Sequence, residues 1–152
     1  MPKPVSVAIE VPQPRTEVYA FLDVMANHEP FTDHLLVGWS YAGPPSGVGS
    51  KAHVSSVAGG RREPVDIEVV AATPPARIVE RNVSAGGARV ATGTYALAET
   101  PGGGTAVTFT YAWERAPLGD RLLAPLVRAI LRRGNARAMA RLAEQLPVLS
   151  PR

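Results

Sequence analysis

The sequence predicts an α+β fold in which a curved antiparallel sheet of about six or seven strands wraps around a long C-terminal helix. Segments with period-two alternation follow one another through the middle of the chain, separated by turns rich in glycine and proline. An amphipathic helical pattern begins after Pro117 and runs almost to the C-terminus. Because an apolar sheet face must be covered, and only the final helix is long enough to cover it, we expect the two to pack together.

The chain opens with a strand followed by two short helices. Apolar residues alternate with small or polar ones from Val5 to Val11, which predicts a strand with one buried face. Prolines end this strand, and Pro14 suits the first turn of a helix that continues to about Met25. Residues 26–34 are polar and aromatic and are interrupted by Pro30. We therefore expect a second short helix or an irregular turn there.

Six further strands are predicted after these helices. The loop at residues 43–49 is rich in glycine and proline, and Gly59-Gly60 and Gly86-Gly87 suit tight turns. The predicted strands span residues 36–42, 51–58, 65–71, 77–84, 89–98 and 106–114.

The last predicted strand contains an aromatic ladder. Val107, Phe109, Tyr111 and Trp113 share one face, while small and polar residues share the other. The alternation predicts that the aromatic side chains face the interior.

The final helix is predicted from a ladder of mostly apolar residues spaced four apart. The ladder consists of Leu118, Leu122, Leu126, Ile130, Gly134, Ala138, Leu142 and Leu146. About 28 residues at about 1.5 Å each give a helix of roughly 40 Å, which can cross the whole sheet. Pro125 lies inside this run and has no backbone N–H, so we expect a kink or a break between an initial turn and the main helix.

A strongly curved sheet need not touch this helix along its whole length. Small residues such as Gly134 and Ala138 would then lie opposite the aromatic strand residues, and the gap would form an apolar cavity. The alternative is a fully packed core in which the aromatic side chains only fill volume.

Length and composition exclude several classes of protein. A chain of 152 residues suits one domain over residues 1–152. The absence of cysteine excludes a disulfide framework, a thiol nucleophile and a thiolate zinc site. No apolar run approaches ~20 residues, and the N-terminus lacks the apolar segment of a secretory signal, so we expect a cytoplasmic protein without a membrane span. A monomer or a homodimer is expected, because an exposed edge strand makes self-association possible.

The positive net charge of +3 does not by itself predict a nucleic-acid partner. Much of the basic excess lies in the C-terminal helical segment, as Arg121, Arg128, Arg132, Arg133, Arg137 and Arg141. We interpret these arginines as the polar side of one helix and predict no nucleic-acid binding, with an anionic partner as the alternative. The sequence also lacks a P-loop, a dinucleotide-binding glycine motif and a serine nucleophile elbow, so no cofactor is predicted.

Five segments, in their order along the chain, resemble the helix-grip families related to START domains and plant pollen allergens. They are VSVAIEVPQPRTEVYAFL, GPPSGVGSKAHV, VVAATPPARIVER, GTYALAETPGGGTAVTFTYAW and the terminal amphipathic helix. The chain is similar in particular to bacterial polyketide cyclase/dehydrase-like proteins of the SRPBCC superfamily. This resemblance implies a hydrophobic cavity between sheet and C-terminal helix that holds lipids, sterols, polyketides or other aromatic metabolites. It implies no single activity, because related folds include cyclases, hydrolases, carriers and regulators.

Acid–base residues are concentrated between the first strand and the second. His28, Asp33 and His34 lie within seven residues, and two histidines with a carboxylate could supply a general acid and base near neutral pH. The same residues could instead cap helices or form surface hydrogen bonds. Their spacing matches no established metal signature, so no metal site is predicted. Tyr111 is the fourth catalytic candidate, since an inward phenol can donate a hydrogen bond to a carbonyl or an enolate.

The candidate ligand-binding residues are aromatic side chains, apolar wall residues and a few polar groups. They are Phe31, Trp39, His53, Val69, Arg81, Tyr95, Phe109, Trp113, Ile130, Gly134 and Asn135. The strand that carries Arg81 leaves two orientations open. If Arg81 points inward, it needs a partner or an anionic ligand group; if it points outward, Glu80 and Asn82 point inward.

Three functions remain open from the sequence. The first is binding of a polyketide-like or lipid-like hydrophobic molecule with cofactor-independent cyclisation or dehydration by acid–base chemistry. The second is a carrier or sensor that holds such a molecule without turning it over. The third is a regulatory or stress-associated domain whose basic helix face docks onto a partner.

Overall fold

The computed structural model describes residues 1–148. Its strands are β1 Val5–Val11, β2 Leu36–Ala42, β3 Lys51–Ser56, β4 Glu63–Thr73, β5 Arg77–Ser84, β6 Arg89–Glu99 and β7 Thr105–Arg115. The helices are α1 Arg15–Asp23, α2 His28–Thr32, α3 Leu118–Leu122 and α4 Ala124–Gln145, with 3₁₀ turns at Met25–Asn27, Ala58–Gly60 and Ala85–Gly87.

The strands form one antiparallel sheet in the order β1-β7-β6-β5-β4-β3-β2. From β2 to β7, each strand pairs with the next one along the chain. Strand β1 pairs with the last strand, β7, and the short helices connect β1 to β2 at the opposite edge of the sheet. This arrangement confirms the predicted α+β helix-grip fold, in which a seven-stranded antiparallel sheet is combined with a long C-terminal helix and short helices after β1. None of the helices within residues 1–148 is long and apolar enough to cross a membrane.

The register between β6 and β7 positions the aromatic ladder. Tyr95 pairs with Phe109, and Gly93 pairs with Tyr111. A Cβ atom at Gly93 would lie 3.0 Å from Cζ of Phe109, so the absence of a side chain there gives the Phe109 ring its place on the inner face.

A bulge in β2 brings two residues that are three apart onto the same face. The register with β3 shifts between Val37 and Ser40, and Gly38 adopts a φ of +67° at this point. Leu36 and Trp39 consequently both line the inner side of the sheet. The predicted strand boundaries are confirmed here, but strict alternation would have put these two side chains on opposite faces.

The C-terminal helical segment is divided in two, as the proline predicted. Leu123 lies between α3 and α4, and Pro125 lies in the first turn of α4, where its missing N–H has no intrahelical acceptor to serve. The continuous helix is therefore shorter than predicted: 22 residues, or roughly 33 Å at 1.5 Å per residue.

The predicted i+4 ladder does not form one buried stripe. Leu118, Leu122 and Leu126 are 69%, 72% and 56% exposed, whereas Leu142 and Leu146 are buried. A row of residues four apart turns by about 40° per step relative to the helix axis, and the helix is also interrupted at Leu123. The face of α4 that packs on the sheet includes instead Asn135, Ala138, Met139 and Leu142.

The main core lies between the C-terminal half of α4, helix α1 and the inner face of the sheet. Phe31, Leu22, Ile78, Met139 and Leu142 are its largest fully buried side chains. In the N-terminal half of α4, Val127 and Leu131 pack against a second cluster formed by Val5, Trp113 and Ala116. A cavity lies between the helix and the inner face of the sheet.

Candidate functional site

The cavity between α4 and the sheet has a volume of about 270 Å³. One wall consists of inward side chains from β5, β6 and β7, and the opposite wall of the inner face of α4 from Val127 to Met139. Helix α2 and the start of β2 close one end, and a charged cluster around Arg89 closes another side. The lining is mainly apolar, with a small number of polar groups, as is typical of small-molecule sites.

A buried ion pair lies in the cavity wall. Nδ1 of His28 on α2 is 3.2 Å from Oε1 of Glu80 on β5, and both side chains are almost completely buried. The other ring nitrogen, Nε2, donates a hydrogen bond of 2.6 Å to the carbonyl oxygen of Leu22. Because both neighbours of the ring are acceptors, the arrangement favours the form of His28 that carries a proton on each ring nitrogen.

The pKa of His28 agrees with this assignment. Burial alone would lower it, but the nearby charge of Glu80 and the hydrogen bond to the Leu22 carbonyl raise the pKa of His28 above its ordinary value of 6.5. Tyr95 lies edge-on to the imidazole, with ring centroids 5.4 Å apart. Its pKa is raised well above 10.0 by burial and by the Glu80 charge, so the phenol stays protonated.

Three buried polar atoms around the cavity have no hydrogen-bond partner among the described residues. They are Oε1 of Glu80, Oδ1 of Asn82 and Nδ2 of Asn135. The contact of Glu80 with His28 is therefore an ion pair without good hydrogen-bond geometry, and Oε1 can accept a further hydrogen bond. Unpartnered buried groups are costly, and their concentration at one cavity indicates a place where bound molecules interact.

Aromatic side chains form most of the sheet-side wall. The Tyr95 and Phe109 ring centroids are 4.8 Å apart, and Tyr111 lies edge-on to Trp113 at the same distance. Burial raises the pKa of Tyr111 to about 12, so this phenol too is a hydrogen-bond donor at neutral pH. The wall offers flat apolar surfaces together with phenolic donors, which suits aromatic or carbonyl-containing molecules.

A second polar cluster lines the cavity around Arg89. Nε and Nη2 of its guanidinium each donate a 2.7 Å hydrogen bond to Asp120, and Nη1 donates to both carboxylate oxygens of Glu63. The Trp113 indole N–H also donates to Asp120, at 3.1 Å. Burial would raise the pKa of Asp120, but the hydrogen bonds and charge of Arg89 outweigh it and lower that pKa. Because Arg89 pairs with two carboxylates from different elements, the cluster ties β4, β6 and α3 together.

The structure brings nine of the fifteen candidate residues to the cavity. They are His28, Phe31, Trp39, Tyr95, Phe109, Tyr111, Trp113, Ile130 and Asn135.

Asp33 and His34, two of the predicted catalytic groups, do not line the cavity. The Asp33 carboxylate is exposed and forms a salt bridge with Arg141 on α4. Nε2 of His34 donates to the carbonyl oxygen of Gly134 at 2.9 Å, and Nδ1 accepts from Arg141 at 3.0 Å. These contacts join the turn after α2 to the C-terminal helix.

His53 and Arg81 lie on the outer face of the sheet, away from the cavity between the sheet and α4. The His53 ring contacts Asp66 at 2.7 Å, and Arg81 is half-exposed beside Glu114 at 3.6 Å. Val69 and Gly134 do not line the cavity either: Val69 is part of the main core, and Gly134 packs closely against Leu35. Since Arg81 points outward, the alternative that places Glu80 and Asn82 inward is the one the structure shows.

The residues around Arg89 were not identified from the sequence. Glu63, Arg89 and Asp120 are far apart in the chain, and no spacing connects them. The only available sign was Asp120, an acidic residue in the first turn after Pro117.

A family model described as polyketide cyclase / dehydrase and lipid transport matches residues 4–147. The chain belongs to this family. The polyketide cyclase/dehydrase family membership and the fold together show a hydrophobic ligand-binding architecture of the SRPBCC type. No curated protein matches the sequence significantly.

Several solved structures share the fold of this chain. The Zhui aromatase/cyclase from Streptomyces sp. R1128 superimposes with a TM-score of 0.77 at 12% identity, over 96% of this chain and 94% of that one. Protein TTHA0849 from Thermus thermophilus gives a TM-score of 0.72 at 18% identity, over 94% and 96%. Ms6760 from Mycobacterium smegmatis gives 0.67 at 15% identity, over 97% and 93%. At these identities the similarity shows only the fold. The chemistry of this chain must be inferred from its own residues.

Proposed function

We propose that the cavity binds a hydrophobic, polyketide-like molecule and that Glu80, assisted by His28, performs cofactor-independent cyclisation or dehydration. The observation that carries the proposal is the buried carboxylate whose Oε1 has no hydrogen-bond partner, beside an imidazolium in a mainly apolar cavity. The family and the likeness to an aromatase/cyclase support this class of chemistry.

The residues suggest a division of labour for ring closure. Glu80 removes a proton from a carbon between two carbonyl groups, while Tyr95 and Asn135 donate hydrogen bonds to the enolate oxygen. The enolate carbon attacks a second carbonyl of the same molecule, a C–C bond forms, and the new alkoxide takes the proton back from Glu80. For dehydration, Glu80 removes the next α-proton while the hydroxyl leaves as water with a proton from the His28 imidazolium. The proton on Glu80 then passes to His28, which restores the pair. Holding a flexible chain in a shaped cavity lowers the entropic cost of closure.

The cavity volume restricts the molecule. About 270 Å³ lies just below the ~300–1,000 Å³ range usual for ligand pockets. A molecule of one or two rings, or a short chain that closes to them, is therefore the substrate class we propose.

A carrier role is the second candidate, and one observation favours it. Both ring nitrogens of His28 are engaged by protein acceptors, which is also how a purely structural ion pair is arranged. In that case the cavity would hold its molecule without turnover.

Turnover by Glu80→Gln separates the two roles. The probe is a synthetic aryl triketone, with product followed by mass spectrometry as loss of one water, and binding followed by fluorescence quenching of the cavity tryptophans. We expect Glu80→Gln to lower turnover by about 100-fold or more while binding persists. Glu114→Gln, at an exposed position on β7, is the matched control and should turn over normally. Binding without turnover in the wild type would establish the carrier role, and absence of both would refute the proposed function.

A further inference from the structure

The start of the C-terminal helical segment exposes an unusual amount of apolar surface. Leu118, Leu122, Leu123 and Leu126 are 56–72% exposed, and Ile130 follows at 36%. We call these five residues the outer patch. Single exposed leucines are ordinary on protein surfaces, but here five exposed large aliphatic side chains lie within thirteen residues. Such a concentration of exposed apolar side chains is typical of an interaction site.

The same segment carries an uncompensated positive charge. Residues 121–143 contain six arginines and no acidic residue, whereas the rest of the chain has ten basic and thirteen acidic side chains. Within residues 1–148, Arg141 is the only one of these six arginines that forms a salt bridge, and its partner is Asp33. Arg121 and Arg128 donate to backbone carbonyls, which leaves their charge unneutralised.

Charge and apolar surface share one side of α4. Leu126 and Ile130 are each seven residues before an exposed arginine, Arg133 and Arg137, and a spacing of seven returns to nearly the same side of a helix. The exposed side of the helix therefore passes from aliphatic to basic along its length. Apolar residues with flanking arginines are the pattern of helices that lie on anionic membranes.

We propose that the outer patch docks onto an anionic phospholipid surface. The leucines enter the boundary between headgroups and acyl chains, and the arginines bind lipid phosphates. Val127, Ile130 and Leu131 on the same stretch of α4 line the cavity, so docking places the helix wall of the cavity against the lipid. A second copy fits this surface less well, because a symmetric contact would bring two arginine-rich faces together.

Vesicle flotation with the full chain tests the proposal without any cavity ligand. We expect binding to phosphatidylcholine vesicles that contain about a third phosphatidylglycerol, weak binding to pure phosphatidylcholine, and release as salt is raised. Leu122→Asp with Leu126→Asp should lower the partition coefficient at least about tenfold. Arg133→Glu with Arg137→Glu should lower it about 25-fold or more, because each basic residue near an anionic surface contributes about fivefold.

The control is Val48→Asp with Val70→Asp, two exposed valines outside the outer patch, which should leave binding unchanged. Circular dichroism confirms that each variant is folded. The proposal is refuted if the wild type does not float with anionic vesicles, or if the patch variants float as well as the control. It is also refuted if sedimentation shows a dimer that Leu122→Asp with Leu126→Asp dissociates while vesicles are ignored, or if the patch binds an acidic soluble protein and no vesicle. Each result is independent of turnover and cavity binding, so it leaves the proposed function to its own test.

Discussion

At the scale of single residues, β5 reverses the usual distribution of polar and apolar side chains. Its inner face carries Ile78, Glu80, Asn82 and Ser84, while Val79 and Val83 lie on the other face. Alternation along this strand could not fix its orientation from sequence, because the apolar residues do not mark a single face. Positions where local pattern and fold disagree are expected at functional sites, and this one contains the carboxylate in the cavity.

The His28–Glu80 pair makes stability depend on pH. Although burial acts in the opposite direction, Glu80 and Leu22 raise the pKa of His28 in the folded state above 6.5. The stabilisation is therefore complete below about pH 6.5 and is lost as pH rises through the folded-state pKa. We expect the difference in free energy of unfolding between wild type and His28→Gln to be largest below about pH 6.5 and to shrink at alkaline pH. Denaturant titration over this range measures it, with His53→Gln as the exposed control, and a difference that grows with pH would contradict the assignment.

The same pair makes a spectroscopic prediction. In Glu80→Gln the main influence that raises the pKa of His28 is removed while the ring stays buried, so that pKa should fall. NMR titration of the ring protons reads this directly. An unchanged midpoint in the variant would show that Glu80 is not the group that holds the imidazolium.

At the scale of elements, the sequence predicts where strands and helices lie better than which way they face. The bounds of β5 match the prediction, and Pro125 marks the division of the C-terminal segment. The i+4 ladder fails because such a row turns around the helix, and the sheet needs a straight stripe. Strict alternation does not predict the bulge at Gly38, although a glycine inside a strand pattern is the usual sign of a bulge.

The Arg89 cluster joins three elements, and its loss should be costly. Arg89→Leu leaves Asp120 and Glu63 without their partner in a largely buried place, and we expect a loss of about 3 kcal/mol in the free energy of unfolding. Arg81→Leu removes a half-exposed pair on the neighbouring strand and should cost less than about 1 kcal/mol. Chemical denaturation compares the two variants. Equal losses would mean that the cluster does not tie β4, β6 and α3 together.

At the scale of the whole molecule, the cavity lies between the inner face of α4, from Val127 to Met139, and the inner face of the sheet. The order of elements and the aromatic residues of β7 are readable from the sequence, and they are sufficient for the fold. The charged cluster is not readable, because its members meet only after the sheet has formed. Of the candidate acid–base pair, the sequence predicts His28. It does not predict Glu80, because the orientation of β5 stays open from the sequence.

Gly93 determines where the Phe109 ring lies in the cavity wall, so a side chain at this position should weaken ligand binding. In Gly93→Ala the new Cβ would lie 3.0 Å from the Phe109 ring and displace it from its place, so affinity for the aryl triketone should fall by about tenfold. Gly102→Ala, where nothing lies within 4 Å of the new atom, is the control. Calorimetric titration gives both affinities, and an unaltered value for Gly93→Ala would place the ligand away from Phe109.

The bulge at Gly38 also affects how the edge of the sheet can pair with another molecule. Strand β2 is the last in the sheet, so its outer backbone groups could recruit the matching strand of another molecule and start a fibre. The extra residue between Val37 and Ser40 breaks the hydrogen-bond register that a strand added at this edge would need. The irregularity that turns Trp39 towards the interior therefore also interrupts the regular edge that strand addition at β2 requires.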